Sequence, residues 1–569
     1  MNTIAAPNLR PQCSNADVAG GWFERAEWHP ALLAPLPRRL ELMKLRPSWP
    51  CAPFHLRVHR NQAFEFVSSV LPPFLAYAAR TAEITLSGYD DSLAFALDGP
   101  ADVELVWIDL GRYRDRMDAP AIGAWIGERL AELRRRTAAP ILVADDPRQD
   151  ATAADVNAAL RSIAPRVPGV RVFPLSETLA GLGSRALDAR AAAIAGMPLS
   201  DAACLLAARA LGLVWLPAAL GPRLKAIVLD LDHTLYAGVL GEDGPEALQL
   251  TPAHELLQRK LLALRDEGLF LAIASRNVEA DVDRLFEVRR DMPLHAEHLS
   301  ARSIAFREKA TGLREICAAL RIAPDALLFI DDNPGEIARV VSELPGIKIL
   351  HAADAEITAR ALGLYPGLHG YPKGKDDALR VADLAANALR EQVASSAANP
   401  EEYLRSLKIA LTFATNRVDQ RIRMAELSNK TNQFNTGFLR LSEAEVARRF
   451  ADPECRSICV WLRDRLSDSG VVGSFFFRRE GTTLRVEEVA ISCRALGRGI
   501  EHVMVTEAVR RALLDLPALQ VHFELREGPR NAPAREFLAE YVERPVGPHG
   551  VTMTWDDSRA ASILARYPV

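Results

Sequence analysis

Residues 225–234 read KAIVLDLDHT, and this stretch decides the fold of the region around it. The apolar run Ala226 to Leu229 has the length and the lack of alternation of a strand buried on both faces of a sheet. It stops on two carboxylates, Asp230 and Asp232, with Thr234 just after them. Two further segments repeat the design: LFLAIAS ends at Ser275, and ALLFIDD ends at Asp331 and Asp332. Ligands of open α/β sheets bind beyond the carboxyl ends of strands, so polar residues gather here where chemistry is expected.

Working outward, VELVWIDL from Val103, then the amphipathic AIGAWIGERLAELRRR, then PILVADD and VRVFPL alternate strand and helix up to about residue 220. That is the pattern of parallel strands joined by crossover helices. Residues 1–100 hold many prolines and weak periodicity and attach only loosely to this N-terminal block. On the other side, LGLYPGLHGYPKGKDD reads as a linker followed by an Ala-rich helical segment. From about residue 405 the pattern turns to hairpins, with VVGSFFFRREGTTLRVEEVAIS as two strands around a Glu-Gly turn and GIEHVMVTEAVRRALL as an amphipathic helix. The expected organisation is an α/β domain over 1–220, a second α/β domain with a parallel sheet over 221–370, a linker and helix over 371–404, and an α+β domain over 405–569.

A chain of 569 residues is too long for one hydrophobic core. Its 49% hydrophobic and 25% charged content is that of an ordinary globular protein. The N-terminus lacks the basic start and apolar centre of a signal sequence, and the most apolar runs break at charges or prolines before reaching membrane-spanning length, so a cytoplasmic, membrane-free protein is expected. A net charge of −4 without a dense Lys/Arg stripe argues against nucleic acid as the main ligand. Seven cysteines without a C-x-x-C pair point to reduced thiols and away from a disulfide framework or structural zinc.

The two-residue spacing of Asp230 and Asp232 can aim both carboxylates to one side of a strand end. One can attack phosphorus while the other protonates the leaving oxygen and later activates water. A phosphate dianion beside two carboxylates requires cations, so the site calls for a metal and a lysine. Lys309, at an expected helix start, supplies the lysine. Asp230, Asp232, Asp331 and Asp332, with Glu336 one turn later, are the candidate ligands, and hard oxygen donors of this kind suit Mg²⁺. Thr234, Ser275, Arg276 and Asn277 join Lys309 as candidate phosphate-binding residues.

The order D-x-D-x-T, Ser, Lys, D-D resembles the haloacid-dehalogenase (HAD) superfamily. That resemblance makes Asp230 the nucleophile and Asp232 the acid/base, and leaves the choice between Asp331 and Asp332 as metal ligand open. The segments LDLDHTLYAGVLGEDG, LAIASRNVEADV, LFIDDNPGEIARV, ELSNKTNQFNTG and SCRALGRGIE together look like the FkbH-like enzymes of polyketide pathways, over about residues 222–540. This implies transfer of a glyceryl unit from 1,3-bisphosphoglycerate to the phosphopantetheine thiol of an acyl carrier protein, with loss of phosphate. It also implies an SGNH-like N-terminal domain, here without a convincing Gly-Asp-Ser nucleophile or Asp-x-x-His pair and so expected to be non-hydrolytic. His233, Tyr236, Arg276 and Phe306 stand where the family pattern has Asn, Trp, Lys and Trp, departures that bear on substrate choice more than on reaction class.

Arg494-Ala495-Leu496-Gly497-Arg498-Gly499 follows an expected strand and opens an expected helix, fitting the R-x-x-G-x-G loop of the GNAT acyltransferase fold. Glycines let backbone N–H groups approach a phosphate, and a helix N-terminus adds favourable charge. Arg494, Gly497, Arg498 and Gly499 are therefore expected to bind pantetheine. Cys493, directly before the loop, reads either as a thiol carrying the acyl group or as a small core cysteine. The amides and lysine of NKTNQFN, Asn429, Lys430 and Asn432, read either as ligands for glycerate and phosphate or as a hydrogen-bonded turn.

Overall fold

The computed structural model describes residues 21–370, scattered positions from 379 to 393, and residues 400–496, 498–528 and 530–566. The chain forms two compact units, Met1–Tyr371 and Pro372–Val569.

The first unit holds two five-stranded sheets, each wholly parallel. One contains β1 (Ala52–Arg60), β2 (Arg80–Tyr89), β3 (Val103–Trp107), β4 (Ile141–Ala144) and β5 (Val170–Phe173) in the order β2-β1-β3-β4-β5. The other contains β6 (Ala226–Leu229), β7 (Phe270–Ser275), β8 (Ala301–Ile304), β9 (Leu327–Asp331) and β10 (Lys348–His351) in the order β10-β9-β6-β7-β8. Every residue of β6, β7 and β9 is buried, as continuous apolar runs between helical layers should be. From β6 the chain passes to β7 on one side and returns to β9 on the other, so the topological switch point falls at the carboxyl end of β6, on Asp230.

The boundary expected at residue 220 separates two sheets but not two compact bodies. One apolar core, reaching from Trp28 and Leu56 to Leu257 and Leu368, serves both. Helix Asp201–Leu220 contributes to that core with Ala203 to Leu216. It also corrects an expectation: with 20 residues and a mean hydropathy of 1.8 it is long and apolar enough, by length and composition, to cross a membrane. Arg209 and Pro217 hid this in the sequence. Arg209 reaches out of the helix to the Ala34 carbonyl.

Residues before 100, which carried no clear pattern, hold the inner strand β1. Its apolar rhythm is broken by an internal ion cluster: Arg57 donates to both carboxylate oxygens of Glu104 on β3, and His59 Nε2 lies 3.0 Å from Glu104 Oε2. Burial alone would raise the Glu104 carboxyl, but the Arg57 and His59 bonds win and hold it down to about 2, against an ordinary 4.5. A depressed carboxylate adds stability above its unfolded value and loses it as pH falls through its folded one. Glu104→Gln therefore costs about 3 kcal/mol at pH 7, as loss of one partner of a buried pair does. Its deficit shrinks as pH is taken from 4.5 toward 2, which urea midpoints across that range measure.

The second unit is a six-stranded sheet in sequence order: β11 (Ala410–Thr415), β12 (Cys455–Arg463), β13 (Asp468–Glu480), β14 (Thr483–Ile491), β15 (Gln520–Phe523) and β16 (Val551–Thr554). All neighbours are antiparallel except β14 and β15, which are parallel and joined through helix Glu501–Asp515. The expected hairpin is β13–β14, turning at Gly481 with φ 59°. The molecule is thus α/β in its first unit and α+β in its second. Most of the expected linker over 371–404 lies outside the described residues.

Candidate active site

Strands β6 and β9 lie side by side, and Asp230 N donates to Ile330 O, which fixes the level at which the two strands end. Asp230, Asp331 and Asp332 therefore come together: one oxygen from each lies within 4.8 Å of the others. Lys309 is the first residue of helix Lys309–Ala319, as expected. Its ammonium sits 2.8 Å from Asp230 Oδ2 and 2.6 Å from Asp331 Oδ2, with all three side chains buried. Burial by itself would lower the Lys309 pKa, but Asp230 and then Asp331 outweigh it, and the net direction is up. Burial pushes Asp331 up to about 7, with Lys309 opposing and Asp230 adding. Asp332 is also raised, by burial and then by Asp230.

The donor set fits a divalent cation. Asp230 Oδ1 is buried without a hydrogen-bond partner among the described residues, and the neighbouring carboxylates carry more negative charge than one ammonium neutralises. Three hard oxygen donors with room for water match Mg²⁺. Thr234 Oγ1, also buried and without a hydrogen-bond partner among the described residues, adds a hydroxyl just beyond the same strand.

The Asp232 carboxylate, expected with the metal ligands, is not in that group. The chain leaves strand geometry at Asp230, and His233 takes a left-handed backbone with φ 52°, so strict alternation no longer governs where Asp232 points. Asp232 Oδ1 accepts from the Tyr236 hydroxyl and from Leu240 N, each at 2.9 Å, and Oδ2 accepts from Asn277 Nδ2 at 2.9 Å. Asn277 also donates to Ser275 Oγ at 3.0 Å, linking the ends of β6 and β7. Arg276 points elsewhere, to the Arg307 carbonyl and Glu336, so Glu336 is an ion-pair partner here.

Tyr236, expected from the sequence to bear only on substrate choice, reaches the site itself. It is fully buried, and its hydroxyl donates to Asp232. Burial pushes its hydroxyl pKa up, and the Asp232 charge adds to that, so the phenol remains a donor. Tyr236→Phe removes one of three donors to a carboxylate, an interaction of about 1.5–3 kcal/mol. With Asp232 as the acid/base that the family resemblance implies, the expected result is a ~10-fold or larger fall in kcat with KM little changed, read from steady-state phosphate release.

In the second unit, the loop after β14 precedes the Glu501–Asp515 helix as expected, with Gly499 at φ 68°. Gly497 lies outside the described residues. The Arg498 guanidinium, expected at a phosphate, is instead buried in an ion cluster with Asp464 at 3.0 Å, Asp383 at 3.1 Å and Ser469 at 3.0 Å. Arg494 is also buried and reaches the Val471 carbonyl. A ligand of this loop would thus meet backbone N–H groups more than guanidinium groups. Cys493 is a reduced, half-buried turn residue, not a fully packed core cysteine. Asn429 and Lys430 end the helix Arg421–Lys430, and the amide-rich segment bonds within the protein: Asn429 donates to the Ala425 and Leu441 carbonyls, Lys430 pairs with Glu426, and Asn432 accepts from Arg440.

No protein-family model matches the chain, and no curated protein matches it. Solved structures do. The N-terminal part of a Bacteroides fragilis protein, containing a phosphatase domain and complexed with Mg, is 17% identical over 61% of this chain and 99% of that one, with a TM-score of 0.44. A GNAT-family acetyltransferase from Streptococcus pneumoniae is 11% identical over 23% of this chain and 83% of that one, with a TM-score of 0.18. A variant spermidine N-acetyltransferase from Vibrio cholerae is 14% identical over 23% of this chain and 77% of that one, with a TM-score of 0.18. None of these likenesses is close enough to carry a function over to this chain.

Proposed function

We propose that this chain is a cytoplasmic, Mg²⁺-dependent HAD-type phosphatase and glyceryltransferase. It takes a glyceryl unit from 1,3-bisphosphoglycerate, or a similar phosphorylated glycerate, and delivers it to the phosphopantetheine thiol of an acyl carrier protein. The observation that supports the phosphoryl-transfer half is the meeting of Asp230, Asp331 and Asp332 around Lys309, with Asp232 held separately beside them.

Asp230, Asp331 and Asp332 would hold Mg²⁺, which supplies the positive charge that lets an anionic phosphate approach carboxylates. Asp230 attacks phosphorus through its unpartnered oxygen, giving an aspartyl phosphate. Asp232, fixed by Tyr236, Leu240 N and Asn277, gives a proton to the leaving oxygen and then takes one from the water that hydrolyses the intermediate. Lys309 and the Thr234 and Ser275 hydroxyls hold phosphate oxygens. In the acyl half, the Cys493 thiolate attacks the carbonyl carbon of the acyl phosphate and expels phosphate, the resulting thioester passes to the carrier thiol with release of the Cys493 thiolate, and Asp230 acts on the phosphate ester at the other end of the substrate. On this reading the first sheet is an SGNH-like remnant without hydrolase activity, and the second unit is a GNAT-like carrier-binding domain.

A plain small-molecule phosphatase is the second reading, favoured by the internal bonding of Asn429, Lys430 and Asn432, which commits those side chains to partners within the protein. Intact-mass analysis separates the two. Protein, Mg²⁺, 1,3-bisphosphoglycerate and a phosphopantetheinylated carrier are incubated together, and glyceryl added to the carrier is the expected product. Free phosphate without carrier acylation selects the plain phosphatase.

A further inference from the structure

Arg276 directly follows Ser275, the last residue of β7, and its guanidinium bonds to the loops that follow the two strands β8 and β9. Nε donates to the Arg307 carbonyl at 3.0 Å, in the loop after β8. Nη1 lies 2.9 Å from Glu336 Oε1, in the first turn of helix Pro334–Glu343, after β9. These two loops carry the charged centre of the site: Lys309 comes two residues after Arg307, and Asp331 and Asp332 come just before helix Pro334–Glu343. One side chain thus ties the loop of the ammonium and the loop of the carboxylates to the end of β7.

Lys309 needs such a tie. It is the first residue of its helix, and the residue before it, Glu308, makes no capping bond to the helix start, so the usual device that pins a helix end is missing. Glu308 pairs instead with Arg339 at 3.1 Å, but both side chains are about half exposed and such a pair constrains little. The Arg307 guanidinium is taken up by Glu315 and Ser303, while its carbonyl accepts from Arg276 and the nearby Ala305 N donates to the Ser275 carbonyl at 3.1 Å. The tolerance at the site is small, because Lys309 stands 2.8 and 2.6 Å from its two carboxylates and a misplacement of about 1 Å can cost about 100-fold in rate. Glu336 adds an electrostatic reason. Its side chain is 13% exposed, and its second oxygen is buried with no hydrogen-bond partner among the described residues. Without Arg276 that carboxylate would stand with its charge unbalanced one turn from Asp332, where negative charge is already in excess.

We propose that Arg276 is a positioning residue of the phosphoryl-transfer site: by holding the Arg307 carbonyl and the Glu336 carboxylate, it sets the Lys309 ammonium against Asp230 and Asp331 and keeps the Glu336 charge balanced. The proposal rests on the phosphoryl-transfer reading above and adds to it a residue that acts through others.

The test is steady-state phosphate release from 1,3-bisphosphoglycerate by the full-length protein and by Arg276→Ala, each with and without millimolar guanidinium chloride. Arg276→Ala is expected to lower kcat ~10-fold or more with KM within ~3-fold, and guanidinium ion, which can take the vacated place and make both bonds, restores at least ~3-fold of the loss without affecting the unaltered protein. A kcat within ~3-fold of the unaltered protein, a loss that guanidinium does not relieve, or a KM that rises as far as kcat falls overturns the proposal. Arg276→Lys, which keeps a charge beside Glu336, is expected to hold kcat above that of Arg276→Gln. These two variants decide the matter should Arg276→Ala fail to fold, and equal kcat in the two overturns the proposal. Phosphate release absent from the unaltered protein removes the phosphoryl-transfer reading and the proposal with it, whereas release that Arg276→Ala leaves unchanged overturns the proposal alone.

Discussion

Asp230→Asn lowers phosphate release by at least ~10⁴-fold, the scale on which loss of a nucleophile acts. Asparagine keeps the shape of the side chain but cannot attack phosphorus and offers a cation one neutral oxygen. Because Asp230 directly follows β6 and its backbone N–H donates to the Ile330 carbonyl, the strand pairing does not depend on the carboxylate. The variant should therefore fold, with an unchanged circular dichroism spectrum. Steady-state phosphate release at saturating Mg²⁺ reads the loss, and activity within ~10-fold of the unaltered protein contradicts the role given to Asp230.

Lys309→Met is expected to damage both stability and activity. The ammonium lies between Asp230 and Asp331, and methionine fills similar space without the charge. Breaking a buried pair in this way costs about 3 kcal/mol or more. The sign of the pH dependence follows from Asp331, which burial raises to about 7 from an ordinary 3.8. Below that value Asp331 takes up a proton and relieves the unbalanced charge, so the deficit of Lys309→Met is smaller at pH 5 than at pH 8. Urea midpoints at the two pH values, without metal and with Mg²⁺, measure it. An equal deficit at both would mean that the carboxylates do not share the ammonium.

The sheet around the site was legible because buried parallel strands are continuous apolar runs, and β7 and β9 end on Ser275 and Asp331 while β6 is followed directly by Asp230. Lys309 was legible as a helix start. What escaped depended on contacts between distant segments. Strand β1 was hidden because Arg57 and His59 interrupt its apolar run, and only Glu104, on a strand far along the chain, makes their burial tolerable. The donors that fix Asp232 were not legible, because it lies past the strand, where the chain turns at His233, and two of them come from Leu240 and Asn277 further along the chain. Tyr236 stood out as a departure from a family pattern, whereas its use is the hydrogen bond to Asp232. Arg498 matched a loop motif correctly in position, but its guanidinium belongs to Asp383 and Asp464, which the motif does not contain.

The most direct test of the central claim is to trap the phosphorylated protein. The full-length chain is mixed with Mg²⁺ and 1,3-bisphosphoglycerate, quenched in acid within a fraction of a turnover, and reduced with borohydride. Peptide mass mapping then locates the modified carboxyl. Modification at Asp230, dependent on Mg²⁺ and absent from Asp230→Asn, is the result predicted. Phosphate release with no modification at Asp230, or modification at a different residue, contradicts the account.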